Sequence, residues 1–184
     1  PEFFPDELPE LPSYLAERLR RGLTRLEAGR DNAEAELLST VLEDVCGLRN
    51  GSGATWTRGS DVDPRFSRRM PAGDILRPRR VWRGPNGAVL PIFIDDQKRL
   101  GIGRSRRFMS RVIQWLRDGR EKLAVITNAR QFRLVYAGLD FDAWAEWDTD
   151  LWFEEGKPSL QVEALRRLLS PKALTPEAAD EPSP

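Results

Sequence analysis

Residues 88–98 read AVLPIFIDDQK and set the centre of the fold. The apolar run predicts a largely buried β-strand from Ala88 to Asp95, because successive side chains on both faces are hydrophobic. Pro91 counts against a central position in a sheet, since it has no amide hydrogen to donate to a neighbour. Two acids and a lysine, Asp95, Asp96 and Lys98, lie where this strand ends.

Working outward from this segment, hydrophobic periodicity predicts the element order α-α-β-β-α-β-β-α. Helices are expected at 14–29, 32–47, 104–117 and 160–169, and strands at 74–82, 88–95, 123–127 and 132–136. Residues 49–73 are expected to form a loop with at most a short strand at 54–57. The strand at 74–82 is interrupted by Pro78. This order predicts an α/β fold with a mixed central β-sheet flanked by helices. The expected division is an N-terminal extension and helix at 1–30, an α/β domain at 31–170, and a disordered tail or linker at 171–184.

The composition excludes several classes of site. The chain has 184 residues, one cysteine and no histidine, so a disulfide framework, a structural zinc site and a Ser-His-Asp triad are excluded. No apolar run approaches the roughly 18 residues that span a bilayer. The first residues contain no basic segment of the kind that opens a secretory signal. We therefore expect a cytoplasmic location and no membrane partner.

Charge is strongly segregated although the formal net charge is zero. Residues 1–46 carry 11 acids and 5 bases, and residues 139–184 carry 11 acids and 4 bases. Residues 49–83 carry 9 arginines and 3 acids, and residues 98–122 carry 9 bases and 2 acids. Arginine binds phosphate through two parallel hydrogen bonds, so the basic centre favours a nucleic-acid surface. The alternative is that these arginines form ion pairs with the acidic ends of the same domain.

One set of residues has the chemistry of phosphodiester hydrolysis. Asp96 and Lys98 are two apart in an extended segment and so project to one side. If Asp74 opens the neighbouring strand, its carboxylate meets theirs, and the two acids can hold a divalent metal while Lys98 activates water. Asp74 and Asp96-x-Lys98 also fit the pattern called PD-(D/E)xK, although Gly73 stands where the pattern has proline. The alternative is that Asp95 and Asp96 form a solvated turn.

Several arginines are candidates for binding the DNA backbone. Arg104, Arg106 and Arg107 fall in the first turn of the helix predicted at 104–117, where free amide hydrogens and the helix dipole favour phosphate. Gln114, two turns further along, either projects toward the same site or lies on the surface. The complete set of predicted DNA-binding residues is Arg79, Arg80, Arg104, Arg106, Arg107 and Arg111.

Two motifs resemble a known family. Residues 123–136, LAVITNARQFRLVY, resemble the LTNG-x-x-W-x-L-Y strand–turn–strand of restriction-endonuclease-like domains, with Ala129 for glycine and Phe132 for tryptophan. Residues 145–156, AEWDTDLWFEEG, are similar to the acidic element that follows it. The resemblance covers about residues 30–170. It is to the N-terminal, PD-(D/E)xK-type domain of large type IIG-like or DISARM-type adenine methylase proteins of phage defence.

The resemblance implies a restriction-endonuclease-like fold, DNA as ligand and Mg²⁺ as cofactor. It also implies Glu36, with Glu34 as the alternative, as an additional metal-side carboxylate on the helix before the sheet. The other interpretation is that both glutamates lie on a solvated face of that helix. Methylase and target-recognition regions would be partners, because the chain itself has no N-P-P-Y or D-P-P-Y motif. Two functions remain open at this point. The chain is either a Mg²⁺-dependent DNA endonuclease domain or an inactive, nuclease-like module for DNA binding or complex assembly.

Overall fold

The structure, a computed structural model, describes residues 9–175. The helices are α1 (Ser13–Glu27), α2 (Ala33–Ser39) with a π-helical continuation (Thr40–Val45), α3 (Arg104–Arg117), α4 (Leu160–Leu168) and α5 (Pro171–Leu174). The strands are β1 (Thr55–Arg58), β2 (Arg68–Arg69), β3 (Ile75–Leu76), β4 (Arg80–Arg83), β5 (Val89–Ile94), β6 (Leu123–Thr127), β7 (Gln131–Ala137), β8 (Asp142–Asp148), β9 (Phe153–Glu154) and β10 (Lys157–Pro158). Short 3₁₀ turns lie at Gly59–Asp61, Pro64–Phe66, Pro85–Gly87 and Thr149–Leu151.

Six strands form a central sheet in the order β1-β4-β5-β6-β7-β8. Only the pair β5 and β6 is parallel, and α3 makes the crossover between them. The other neighbours are antiparallel. The mixed α/β class with a mixed central sheet and flanking helices, expected from the element order, is confirmed.

Each face of the sheet covers its own apolar core. On one face, Leu90, Ile92 and Phe132 pack with residues of α1, α2 and α4. On the other face, Phe93 and Ile126 pack with residues of α3. The two sets come from alternating positions in β5, because successive side chains of a strand point to opposite faces. The sheet is therefore the shared wall of both cores.

Pro91 lies in a central strand, against the expectation from its missing amide hydrogen. β5 has β4 on one side, where Pro91 pairs with Val81, and β6 on the other. Pairing with β6 begins only at Ile92, opposite Val125. Pro91 therefore lies outside the ladder with β6, and its missing amide hydrogen costs no bond to that strand.

The predicted strand at 74–82 is wrong, because the structure divides it at Pro78. β3, which directly follows Asp74, pairs with β2 in a separate two-stranded sheet. β4 is the segment that joins the central sheet beside β5. Proline disfavours a continuous ladder, and here the chain changes partner across it. Asp74 consequently does not open the strand that neighbours β5.

Both ends of the described chain contain helix. α1 packs in the same core as α2, with Leu19 and Leu26 buried. Part of the predicted tail forms α5, and the remainder of that tail, 176–184, lies outside the described residues. Among residues 9–175, no helix is both long and apolar enough to cross a bilayer.

Candidate functional site

Several chain segments meet at one edge of the central sheet. β5 and β6 are parallel and both end there, and the loop after β5 leads directly into α3. β4 and β7 begin there, because each is antiparallel to the strand beside it. We call this region, residues 79–80, 95–107 and 128–131, the C-terminal edge. Polar residues of these three segments therefore lie at the same edge of the sheet.

Hydrogen bonds join the loop after β5 to the turn after β6. The Asn128 side-chain amide donates to the carbonyl of Gln97 at 2.9 Å, and the amide of Leu100 donates to Oε1 of Gln131 at 2.9 Å. The turn itself is held by Oδ1 of Asn128, which accepts from the amides of Arg130 and Gln131 at 3.1 and 2.7 Å. The two connections therefore form one supported unit.

A cleft of about 840 Å³ opens at the C-terminal edge and reaches the first turn of α2. Asp96 and Lys98 both line it, but so do Asp95 and Gln97, so the projection of Asp96 and Lys98 to one side stays a prediction. Glu34 lines it from α2, and Arg79 and Arg80 line it from the start of β4. The cleft therefore contains carboxylates and cations side by side.

Asp95 directly follows β5, but it is not solvated as the alternative of a solvated turn expected. Its side chain is buried, and Oδ1 accepts from the amide of Gln97 at 3.1 Å. Its other oxygen, Oδ2, is also buried and has no hydrogen-bond partner. Asp96 is exposed, so the two neighbouring acids have different surroundings.

Asp74 and Glu36 are not among the residues that line this cleft. Asp74 forms an ion pair with Arg111 on α3, and Glu36 forms one with Arg25 on α1. The position expected for an acid, at the head of the strand beside β5, is occupied instead by Arg79 and Arg80. The structure therefore does not assemble the predicted set of Asp74, Asp96 and Glu36.

Of the carboxylates predicted to hold Mg²⁺, Asp96 and the alternative Glu34 line the cleft, whereas Asp74 and Glu36 are paired with arginines elsewhere. Magnesium in proteins is held by one or two carboxylates together with substrate phosphates and water in an octahedral arrangement. Among the described residues, no group of three or more acids or other ligand residues is placed to hold a metal ion.

Many of the arginines are paired with acids, but only three arginines of the basic centre, Arg49, Arg58 and Arg117, pair with acids of the two acidic ends, as the alternative expected. Acids of the N-terminal block and of strand β8 contribute to several pairs, including Asp44 with Arg18 and Asp142 with Arg117. The arginines in ion pairs are Arg18, Arg25, Arg49, Arg58, Arg65, Arg68, Arg83, Arg111, Arg117, Arg133 and Arg167.

Seven cations at the C-terminal edge are different, because all are exposed and none has an acidic partner within residues 9–175. They are Arg79, Lys98, Arg99, Arg104, Arg106, Arg107 and Arg130. We call this set the edge cations. Acids also lie there, namely Glu34, Asp95 and Asp96, but they form no ion pair with the set. The edge therefore presents several unneutralised positive charges to solvent.

Helix α3 begins at Arg104, so the prediction of arginines in its first turn is confirmed. Gly103 precedes it without a side-chain cap, and its first turn contains no acid. The terminal amide hydrogens of the helix are therefore uncapped by side chains beside three guanidinium groups. Gln114 donates to Asp118 at 2.7 Å along the helix and is thus engaged away from the first turn.

The sequence analysis missed Arg99 and Arg130 as members of the edge cations. Arg130 lies in the predicted turn between two buried strands. The sequence does contain a signal that could place these two residues together. β6 follows β5 through a helix, which is typical of parallel strands, and parallel strands end at the same edge of a sheet. What was missing was the parallel pairing of those two strands.

No family model, curated protein or solved structure matches this chain.

Proposed function

We propose that this chain is a DNA-binding domain of a phage-defence restriction–modification system, and that it holds DNA without cutting it. The observation that carries the proposal is the set of edge cations, seven exposed positive charges with no acidic partner among the described residues. Unneutralised arginines on one edge are the electrostatic footprint of a phosphate backbone.

Phosphate suits this edge better than other anions do. Guanidinium groups bind phosphate oxygens through paired hydrogen bonds, and an uncapped helix N-terminus adds amide donors and a favourable dipole. Arg104, Arg106 and Arg107 supply both features in the first turn of α3. Arg130 lies in the turn between β6 and β7. A DNA strand that crosses the edge would therefore meet donors both from α3 and from this turn.

The context of phage defence rests on the resemblance. The motif at 123–136 corresponds to the β6–β7 hairpin, whose turn carries Arg130 at the C-terminal edge. In the family that the motif resembles, this hairpin belongs to an endonuclease-like domain fused to a methylase. Methylase and target-recognition regions are therefore the proposed protein partners, and DNA is the proposed ligand.

Binding without cutting is the better-supported alternative. At the strand beside β5, where the second acid of a two-carboxylate site was predicted, the start of β4 supplies Arg79 and Arg80, and Glu34 on α2 is the other exposed acid of the cleft. Arginines at this place hold phosphate oxygens, whereas they would repel the metal that hydrolysis needs. Restriction and cleavage are accordingly not part of the proposal.

Salt-dependent binding to a fluorescent duplex of about 20 base pairs tests the proposal. We expect log K to fall linearly with log salt concentration, with a slope between about −3 and −6. The triple variant Arg104→Gln, Arg106→Gln, Arg107→Gln should make the slope shallower by about 2. The matched control, Arg120→Gln with Lys122→Gln, removes two exposed charges before β6, at the opposite edge, and should leave the slope unchanged. Equal effects of both variants would overturn the proposal.

The same variants distinguish binding from hydrolysis. For a module that only binds, Asp96→Asn removes a negative charge beside the phosphates and should tighten DNA binding about two- to fivefold. For a nuclease, Asp96→Asn and Lys98→Ala would abolish plasmid nicking in Mg²⁺ or Mn²⁺. Nicking by the unaltered chain that is lost in both variants would contradict binding without cutting.

A further inference from the structure

A second groove lies between α1 and α2 and adjoins the cleft at the C-terminal edge. It has a volume of about 920 Å³ and shares Ala35 and Arg80 with that cleft. Five arginines line it, against two glutamates. The arginines are Arg18, Arg21, Arg25, Arg58 and Arg80. The groove therefore has a strong excess of positive charge although α1 belongs to the acidic block of the sequence.

Arg80 is the most constrained cation in the groove. It is half-buried, and its guanidinium donates to the hydroxyl of Ser39 at 2.8 Å and the carbonyl of Ala35 at 3.0 Å. Both acceptors are neutral, so its charge is held in place without being neutralised. Burial, together with the nearby charge of Arg58, lowers the pKa of Arg80 below its ordinary value.

Arg58 faces Arg80 directly across the β1–β4 ladder. Like charges at directly opposed positions of neighbouring strands destabilise a sheet. Glu43 pairs with Arg58 and relieves part of this repulsion, but it makes no ion pair with Arg80. An anion seated between the two guanidinium groups would neutralise the remainder.

Helix α1 completes the groove from the other side. Arg18, Arg21 and Arg25 are spaced at i, i+3 and i+7, which places them on one face of the helix. Arg18 pairs with Asp44 and Arg25 with Glu36. Arg21 is exposed and has no ion pair with any described residue, so it is available to a ligand.

We propose that the α1–α2 groove is a second phosphate-binding site, in which Arg21, Arg58 and Arg80 hold a backbone phosphate of the DNA bound at the C-terminal edge. Because Arg80 and Ala35 line both cavities, the two sites form one continuous path. The inference rests on the proposed function and extends the contact surface beyond the edge cations. A free phosphate group has the same chemistry, and the test separates the two sources.

The test compares the double variant Arg21→Gln, Arg58→Gln with Arg30→Gln, which alters an exposed arginine just beyond α1 that does not line the groove. Each 184-residue chain is titrated with a duplex of about 20 base pairs across a range of salt concentrations. The double variant should bind about tenfold more weakly at 0.15 M salt, with a slope shallower by about one to two. Arg30→Gln should match the unaltered chain. Unchanged far-UV circular dichroism and melting temperature show that each variant is folded.

The outcomes separate this inference from the proposed function. If the unaltered chain binds and only the edge variants weaken it, the groove site is overturned while the DNA-binding function stands. If the unaltered chain does not bind DNA, both are overturned. Inorganic phosphate provides the second arm: if it raises the melting temperature of the unaltered chain but not of the double variant, while DNA affinity is equal, the groove takes free phosphate and the DNA path is overturned.

Discussion

At the scale of single residues, the partner of each arginine decides its role. Arg133 is nearly buried, pairs with Glu146, donates to the sulfur of Met109 and lies over the ring of Trp144. Such an arginine packs and stabilises the fold. An exposed arginine without an acid keeps its full charge and hydrogen-bonding capacity. Burial and pairing therefore separate a structural arginine such as Arg133 from the exposed, unpaired edge cations.

Cys46 gives a prediction at the same scale. The thiol is buried in the core beside α1 and α2, and burial raises its pKa to about 12. Only the thiolate reacts readily with thiol reagents, so the native protein should be inert to a disulfide reagent at pH 8. We expect one equivalent of reaction in denaturant and almost none without it. Rapid stoichiometric reaction of the native chain would contradict the buried position.

At the scale of elements, the sequence predicted best where the hydrophobic pattern is local. The hairpin at 123–136 and helix α3 agree with the structure to within a residue or two, because each carries a clear period and a clear boundary. Pairing between strands is a different matter. The pattern of residues 74–82 does not indicate which strands they pair with. In the structure Ile75 pairs with Arg69, whereas Val81 pairs with Pro91.

The same contrast between local patterns and non-local strand pairing applies to the candidate site. Asp96 and Lys98 were predicted to project together from local spacing alone, and both line one cleft. Asp74 was placed beside them through an assumed strand neighbour, which is a non-local contact, and that placement failed. Arg130 was missed for the same physical reason.

The ion pair between Arg68 and Glu121 gives a prediction about how elements are joined. Arg68 on β2 contacts Glu121 in the connection from α3 to β6 and lies 3.6 Å from the ring centre of Trp115. Burial alone would raise the pKa of Glu121, but the hydrogen bond and charge of Arg68 outweigh it and hold that pKa below its ordinary value. A lowered folded-state pKa adds stability that is present above the unfolded pKa and is lost as pH falls through the folded value.

Glu121→Gln should therefore lower the free energy of unfolding by about 1 to 2 kcal/mol at pH 7. The difference from the unaltered chain should shrink as the pH falls below about 4. Urea unfolding at several pH values measures both. Asp142→Asn, which breaks the more exposed pair with Arg117, is the control and should cost less than about 0.5 kcal/mol. A pH-independent difference for Glu121→Gln would contradict the assignment to this ion pair.

At the scale of the whole molecule, folding redistributes the charge that the sequence keeps in blocks. Asp44 from the first acidic block pairs with Arg18 and Arg49, and Asp142 from the last pairs with Arg117. In these pairs the acid and the arginine neutralise each other. The edge cations have no acidic partner among the described residues, so a chain with no net charge still presents a basic surface at the C-terminal edge. Local charge, and not the total, governs the approach of a polyanion.

The central sheet, as the shared wall of two cores, predicts that the chain unfolds as one unit. Leu19 on α1 and Leu116 on α3 are fully buried on opposite faces of the sheet. Each substitution by alanine should cost about 2 to 5 kcal/mol, and the two costs should add, because the residues share no contacts. The exposed Leu160 serves as the control, since its replacement by alanine removes little buried surface.

Urea unfolding followed by both far-UV circular dichroism and tryptophan fluorescence tests this prediction. Tryptophans lie in both cores, with Trp82 in one and Trp115 in the other, so fluorescence senses each face. For Leu19→Ala and for Leu116→Ala the two signals should move together to a lower midpoint. If Leu19→Ala instead produces an early transition that leaves the α3 face folded, α1 and α2 stabilise only their own face. The sheet cannot then transmit the loss of one core to the other, and the groove between α1 and α2 would open independently of the C-terminal edge.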